Sequence, residues 1–151
     1  MIEVVCPEPA DTQAFAGRLA SVLRPGDVVV LAGDLGAGKT LFTGDLAAGL
    51  GVDEQVSSPS FVLVRQYLTG FIPVVHVDVY RLGSLNEFDD LDVFELAEEG
   101  VLIVEWGDAV ESTFPEDHLR IEFVVDRDDE TRVLRLVPSG DWVGRDLEVV
   151  M

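Results

Sequence analysis

The eight residues Gly33-Asp34-Leu35-Gly36-Ala37-Gly38-Lys39-Thr40 satisfy every fixed position of the pattern G-x-x-x-x-G-K-[ST]. The residue types dictate the chemistry. Glycines allow the backbone to turn successive N–H groups inward, and a helix starting at the end of the loop adds about half a positive charge at the same point. The main chain from Leu35 through Gly36, Ala37, Gly38, Lys39 and Thr40 to Leu41 is therefore expected to cradle a polyphosphate. The Lys39 ammonium would reach the terminal phosphates, and the Thr40 hydroxyl would take a Mg²⁺ ion. Lys39 is the chain's only lysine; the other nine basic residues are arginines. A compact, flexible point charge thus occurs only where the loop requires one.

Such a loop needs a second acid that reaches the metal directly or through water, at the carboxyl end of a strand beside the loop strand. Glu105 follows four apolar residues, Val101 to Val104, and suits the metal role best. Asp78 closes a similar run and would either polarise the attacking water or share the metal shell. An acid at a strand end is ordinarily just the first solvated residue. Two of them downstream of an intact loop favour function. His76 reads as a core or surface histidine rather than a ligand. Cys6 reads as packing, and Trp106 as either a nucleotide neighbour or packing. Arg81, Arg132 and Arg135 are candidate phosphate or adenine contacts, each with a plain surface reading beside it.

The elements that must position these groups follow from periodicity. Val28 to Ala32 is an apolar, β-branched run and predicts a buried strand leading into the loop. Thr40 to Gly51 predicts the helix after it, with Phe42, Leu46 and Leu50 on one stripe. Ile2 to Val5 predicts a first strand broken by Pro7 and Pro9. A helix is expected over about Thr12 to Leu23, capped by Asp11 or Thr12. Phe61–Leu68 and Phe71–Asp78 flank Thr69-Gly70 and predict an antiparallel hairpin. Ser84 to about Ala97 reads as one or two short acidic helices opened by Ser84 and Glu87. His118–Val125 and Arg132–Val137 predict a second hairpin. The pattern assigns no element to residues 139–151. The hydroxyl-rich segment Ser58-Pro59-Ser60-Phe61 lies where a γ-phosphate-sensing switch can sit, although such a segment is more often an ordinary loop.

Composition bounds the class. The chain has 151 residues, enough for one domain with its own core, and no apolar run approaches the ~18 residues of a membrane span. The lone cysteine permits no internal disulfide, and the N-terminus lacks a signal-peptide pattern, so the expected setting is the cytoplasm. A formal net charge of −19 argues against a direct electrostatic grip on nucleic acid and does not suit an anionic membrane surface. It also leaves the loop amides, Lys39 and Mg²⁺ to overcome an unfavourable general field locally. The guanine-reading N-K-x-D pattern is absent, which favours ATP.

Taken together, GDLGAGKT at 33–40, SPSF at 58–61, HVDVYR at 76–81 and EW at 105–106 resemble the bacterial TsaE (YjeE) family in order and spacing, over about residues 8–140. The resemblance implies an α/β fold: a P-loop NTPase-like three-layer sandwich whose mixed central sheet contains antiparallel hairpins, all in one domain over residues 1–151. It implies a small Mg²⁺-dependent ATPase, slow alone, that supports threonylcarbamoylation of adenosine 37 in tRNA by binding and cycling the TsaD–TsaB pair. It assigns Lys39 to phosphate and catalysis, Thr40 and Glu105 to Mg²⁺, Asp78 to metal and water, and Ser58, Pro59, Ser60 and Phe61 to a switch-like segment. Thr12 and Arg132 become nucleotide contacts. Departures are Ser60 where the family usually has threonine, Ser57 where a lysine is common, and Gly44 in place of a basic residue. The alternatives are a small-molecule P-loop kinase, for which no Arg-rich lid is visible between 84 and 117, and a non-hydrolytic ATP-sensing module.

Overall fold

The computed structural model describes residues 2–34, 36–56, 64–79, 92–106, 114–126 and 128–151. Its centre is a seven-stranded sheet: β1 (Ile2–Cys6), β2 (Val28–Gly33), β3 (Val64–Tyr67), β4 (Val74–Asp78), β5 (Val101–Glu105), β6 (His118–Val125) and β7 (Arg132–Ser139), in the spatial order β1-β7-β6-β2-β5-β4-β3. The middle of the sheet is parallel, with β5 and β6 flanking β2, and β4 beside β5. The edges are antiparallel: β3 on β4, and β1 on β7, which itself pairs with β6. The sheet is therefore mixed, with the two expected hairpins at its margins.

β2 and β5 are the apolar runs VVVLAG and VLIVE, buried almost throughout, as strands covered on both faces must be. The strand period of two splits them between two cores. Val29, Leu31, Val101 and Ile103 join Phe15, Leu19, Phe42 and Leu46, the inward residues of α1 (Pro9–Ala20) and α2 (Lys39–Gly49). Val28, Val30, Leu102 and Val104 join Val75, Val77 and Val93, the last on the short helix α3 (Val93–Leu96). The helices α1 and α2 pack so closely that a Cβ on Gly49 would lie 2.6 Å from the Ala20 Cβ. This alternation aims the site: Val74 belongs to the α1/α2 core and Val75 and Val77 to the opposite one, so His76 and Asp78 share the α2 side. Glu105, two residues beyond Ile103, points the same way.

One expectation is corrected. The first helix begins at Pro9, not near Thr12, and ends at Ala20. Proline is favoured in the first turn because its missing N–H has no intrahelical partner there. Asp11, expected as a cap, lies inside the helix, where its carboxylate accepts the Glu8 N–H at 2.9 Å. Residues 139–151, to which the pattern assigned nothing, form a clasp. Two short 3₁₀ turns, Gly140–Gly144 and Glu148–Val150, bury Trp142 and Val150 in the α1/α2 core, together with Leu147 between them. Arg145 reaches Asp27, in the turn before β2, with a bidentate pair at 2.6 and 3.0 Å, and its guanidinium lies 3.8 Å over the Trp142 ring. Arg18 Nε donates to the Val150 carbonyl at 2.7 Å. No helix among the described residues is long and apolar enough to cross a membrane.

Candidate functional site

The loop sits between the carboxyl end of β2 and the start of α2. Gly33 has φ +140°, and a Cβ there would come within 2.7 Å of the Phe123 carbonyl oxygen on β6, so only glycine fits this approach. Gly36 and Gly38 follow at φ +81° and +100°. Leu35 and the segment Ser58, Pro59, Ser60 and Phe61 lie outside the described residues, as do Arg81 and residues 84–91 of the expected acidic helix.

Gly36, Gly38, Lys39, Thr40, Leu41, Asp78, Glu105 and Trp106 line a cavity of about 240 Å³. Lys39 is 4% exposed, and its ammonium donates to the carbonyls of Gly33 at 2.7 Å and Asp34 at 2.9 Å. It also lies 3.8 Å from the centroid of the Trp106 indole. The Trp106 backbone N–H donates to the Leu31 carbonyl of β2 at 2.8 Å, and the chain leaves the sheet there at φ +62°. A left-handed tryptophan costs about 1–2 kcal/mol, and such strain clusters at ligand sites. Here it holds an aromatic face over the loop cation.

Thr40 Oγ1 donates to Glu105 Oε1 at 2.8 Å. Glu105 is 2% exposed, and its other oxygen, Oε2, bonds His76 Nε2. Asp78 stands directly opposite Glu105 in the β4/β5 register. The site thus collects one hydroxyl and two carboxylates beside the glycine loop. Hard oxygen donors in this number suit Mg²⁺, which takes one or two carboxylates plus phosphate oxygens rather than an all-protein cage. Among the described residues no cluster of three or more His, Cys, Asp or Glu is gathered for a metal.

On the other side of the loop, Pro9, Thr12, Gly38, Leu41, Phe42 and Arg132 line a smaller recess of about 40 Å³. Arg132 Nε donates to the Ala37 carbonyl at 2.9 Å and so ties β7 to the loop. The two cavities share Gly38 and Leu41, so they adjoin one another across the loop. The structure therefore brings Gly36, Gly38, Lys39, Thr40, Leu41, Asp78 and Glu105 around one cavity, and Thr12 and Arg132 around its neighbour; Ala37 is buried in the loop. Arg135 is not brought there and faces Glu3 at 3.3 Å. Cys6 is buried, and that burial pushes its thiol up. His76 is fully buried, as the core reading expects, and its even spacing from Asp78 puts both on one strand face.

The TsaE family model, described as threonylcarbamoyl adenosine biosynthesis protein TsaE, matches residues 6–134. The chain belongs to the TsaE family. Members similar to it include the Streptomyces coelicolor "tRNA threonylcarbamoyladenosine biosynthesis protein TsaE", 44% identical over 140 residues that cover 88% of this chain and 95% of the relative. The Bacillus subtilis TsaE protein is 41% identical over 125 residues, covering 83% and 78%. Among solved structures, the crystal structure of Bacillus subtilis YdiB superposes with a TM-score of 0.80 at 34% identity, covering 98% of this chain and 93% of that one. The three-layer P-loop NTPase-like fold with a mixed sheet thus places the chain structurally where its sequence places it within the TsaE family.

Proposed function

We propose that this protein is a Mg²⁺-dependent ATPase of the cytoplasm that supports threonylcarbamoyl modification of tRNA adenosine 37 by binding and cycling the TsaD–TsaB complex. The observation that carries the reading is the convergence of Lys39, Thr40, Asp78 and Glu105 on one cavity beneath a glycine loop. The phosphates of ATP would replace the Gly33 and Asp34 carbonyls as partners of Lys39 and lie on the N–H groups at the start of α2. Thr40 and Glu105 would hold Mg²⁺, which neutralises phosphate charge when bound. Asp78 would orient the attacking water or share the metal shell. The recess at Thr12 and Arg132 would take the nucleoside end.

The pathway assignment follows from the family and from the names its members carry. The partner assignment is supported by charge: at −19 the chain suits docking on a protein better than gripping tRNA itself. The test is ATP hydrolysis with Mg²⁺, alone and with TsaD–TsaB, beside Lys39→Ala and Glu105→Ala. The reading expects slow turnover that the pair stimulates and both substitutions abolish. Fast turnover indifferent to the pair would refute the coupling, and turnover unchanged by the substitutions would refute the site.

A further inference from the structure

We propose that His76 is a positioning residue: its imidazole fixes the rotation of the Glu105 carboxylate, so that Oε1 is the oxygen presented beside Thr40. The inference rests on the metal-nucleotide reading of the site.

β4 is otherwise a valine strand, with Val74, Val75 and Val77 inside it and Val79 just beyond, all buried. A polar ring in this setting has a cost. His76 is fully buried, and its Nδ1 finds no hydrogen-bond partner among the described residues. A buried acceptor left unsatisfied costs about 1–3 kcal/mol. What the ring gains in exchange is its other nitrogen. A carboxylate accepts and does not donate, so the hydrogen resides on Nε2 and points at Glu105 Oε2. Oε1 in turn accepts from Thr40. Glu105 is thereby held at both oxygens while nearly excluded from water. The register explains why β4 can do this: His76 pairs with Ile103 and lies one step below Asp78, which pairs with Glu105, all on the α2 side. Without the imidazole, a buried carboxylate keeps Thr40 as its partner at one oxygen and can turn about its terminal bond. Partners that orient a ligating carboxylate typically affect metal affinity by about 10–100-fold when removed.

Three polar or apolar replacements separate this role from packing. His76→Gln keeps an amide N–H at the reach of Nε2; His76→Asn is polar but falls short of Oε2; His76→Leu removes the donor. Mn²⁺ uptake is followed by electron paramagnetic resonance in the presence of a non-hydrolysable ATP analogue, and analogue affinity is measured separately in chelator. The expected result is a loss of about tenfold or more in Mn²⁺ affinity for the Leu and Asn variants. The Gln variant recovers most of it, and analogue affinity in chelator is unchanged throughout. In a Glu105→Gln background, His76→Asn adds no further loss. Mn²⁺ affinity unaffected in the Asn variant, or a Gln variant as impaired as Asn, overturns the inference. Wild-type protein that binds the analogue without any Mn²⁺ increment also overturns it, while failure of the wild type to bind the analogue at all overturns the proposed function first.

Discussion

Replacing Arg145 by methionine should destabilise the protein by about 3–5 kcal/mol, the range for removing one partner of a buried ion pair. The structure supplies the reasons for placing this pair in the buried class. The two side chains are 10% and 9% exposed, and the contact is bidentate at 2.6 and 3.0 Å. Asp27 is pinned in the turn before β2, where its Oδ2 also accepts the Arg24 N–H at 2.7 Å. It cannot follow solvent when Arg145 goes, and that single remaining bond leaves the carboxylate under-compensated. Methionine retains packing on Trp142 but loses the two bonds to Asp27, the Nη1 bond to the Val22 carbonyl at 3.3 Å and the stack on the ring. For a domain of this size each kcal/mol moves Tm by about 2–4 °C, so a fall of about 6–20 °C is expected. Urea unfolding followed by circular dichroism measures it directly, with Arg145→Lys as the variant that keeps charge but loses the fork, and Asp27→Leu/Arg145→Met as the double. The double variant should lie closer to wild type than Arg145→Met does, because it leaves no buried charge. A loss under about 1 kcal/mol would place the pair among exposed contacts and refute the clasp.

Gly33→Ala meets the Phe123 carbonyl and Cβ at 2.7 and 2.9 Å in a backbone geometry that alanine avoids. It should cost about 2–6 kcal/mol from strain and overpacking, and weaken nucleotide binding by shifting the loop; calorimetry reads both. Burial raises the Asp45 carboxyl, so its unfolded form loses the proton first and stability falls as pH rises through that interval. Asp45→Asn should therefore raise Tm at pH 7 and lose that advantage below pH about 4, whereas Glu54→Gln, an exposed charge control, should not reproduce the gain. The Cys6 thiol, raised chiefly by burial, should resist a disulfide reagent at pH 8 in the folded protein and react at once in denaturant; rapid reaction when folded would contradict its placement in the core.

The parts of this fold that were legible in the sequence are those whose determinants are local. The loop carries its own signature, and β2 and β5 announce themselves as continuous apolar runs. The hairpin of β6 and β7 shows in the alternation of His118–Val125 and Arg132 onward. The clasp did not show, because Trp142, Leu147 and Val150 acquire their meaning only once α1 and the Asp27 turn are in place. The start of the first helix is hidden because Pro9 looks like a breaker in a strand context and is a starter in a helical one. At the site, Asp78 and Glu105 were readable as strand-end acids. Their adjacency depends on β4 lying beside β5 in matching register. His76 reads as a core histidine and is fully buried, but its contact with a carboxylate 29 positions away has no local signal. The left-handed turn at Trp106, which brings the indole over Lys39, likewise has no sequence signal of its own.

If Lys39, Thr40, Asp78 and Glu105 serve one metal–nucleotide site, as proposed, nucleotide and metal must bind there together. Isothermal titration of the protein with a non-hydrolysable ATP analogue, with and without Mg²⁺, tests it most directly. Saturable binding is expected at one site per chain, tightened by Mg²⁺ in the wild type, abolished by Lys39→Ala, and stripped of its Mg²⁺ increment by Glu105→Gln. Binding that Lys39→Ala leaves intact, or a Mg²⁺ increment that survives Glu105→Gln, would contradict it.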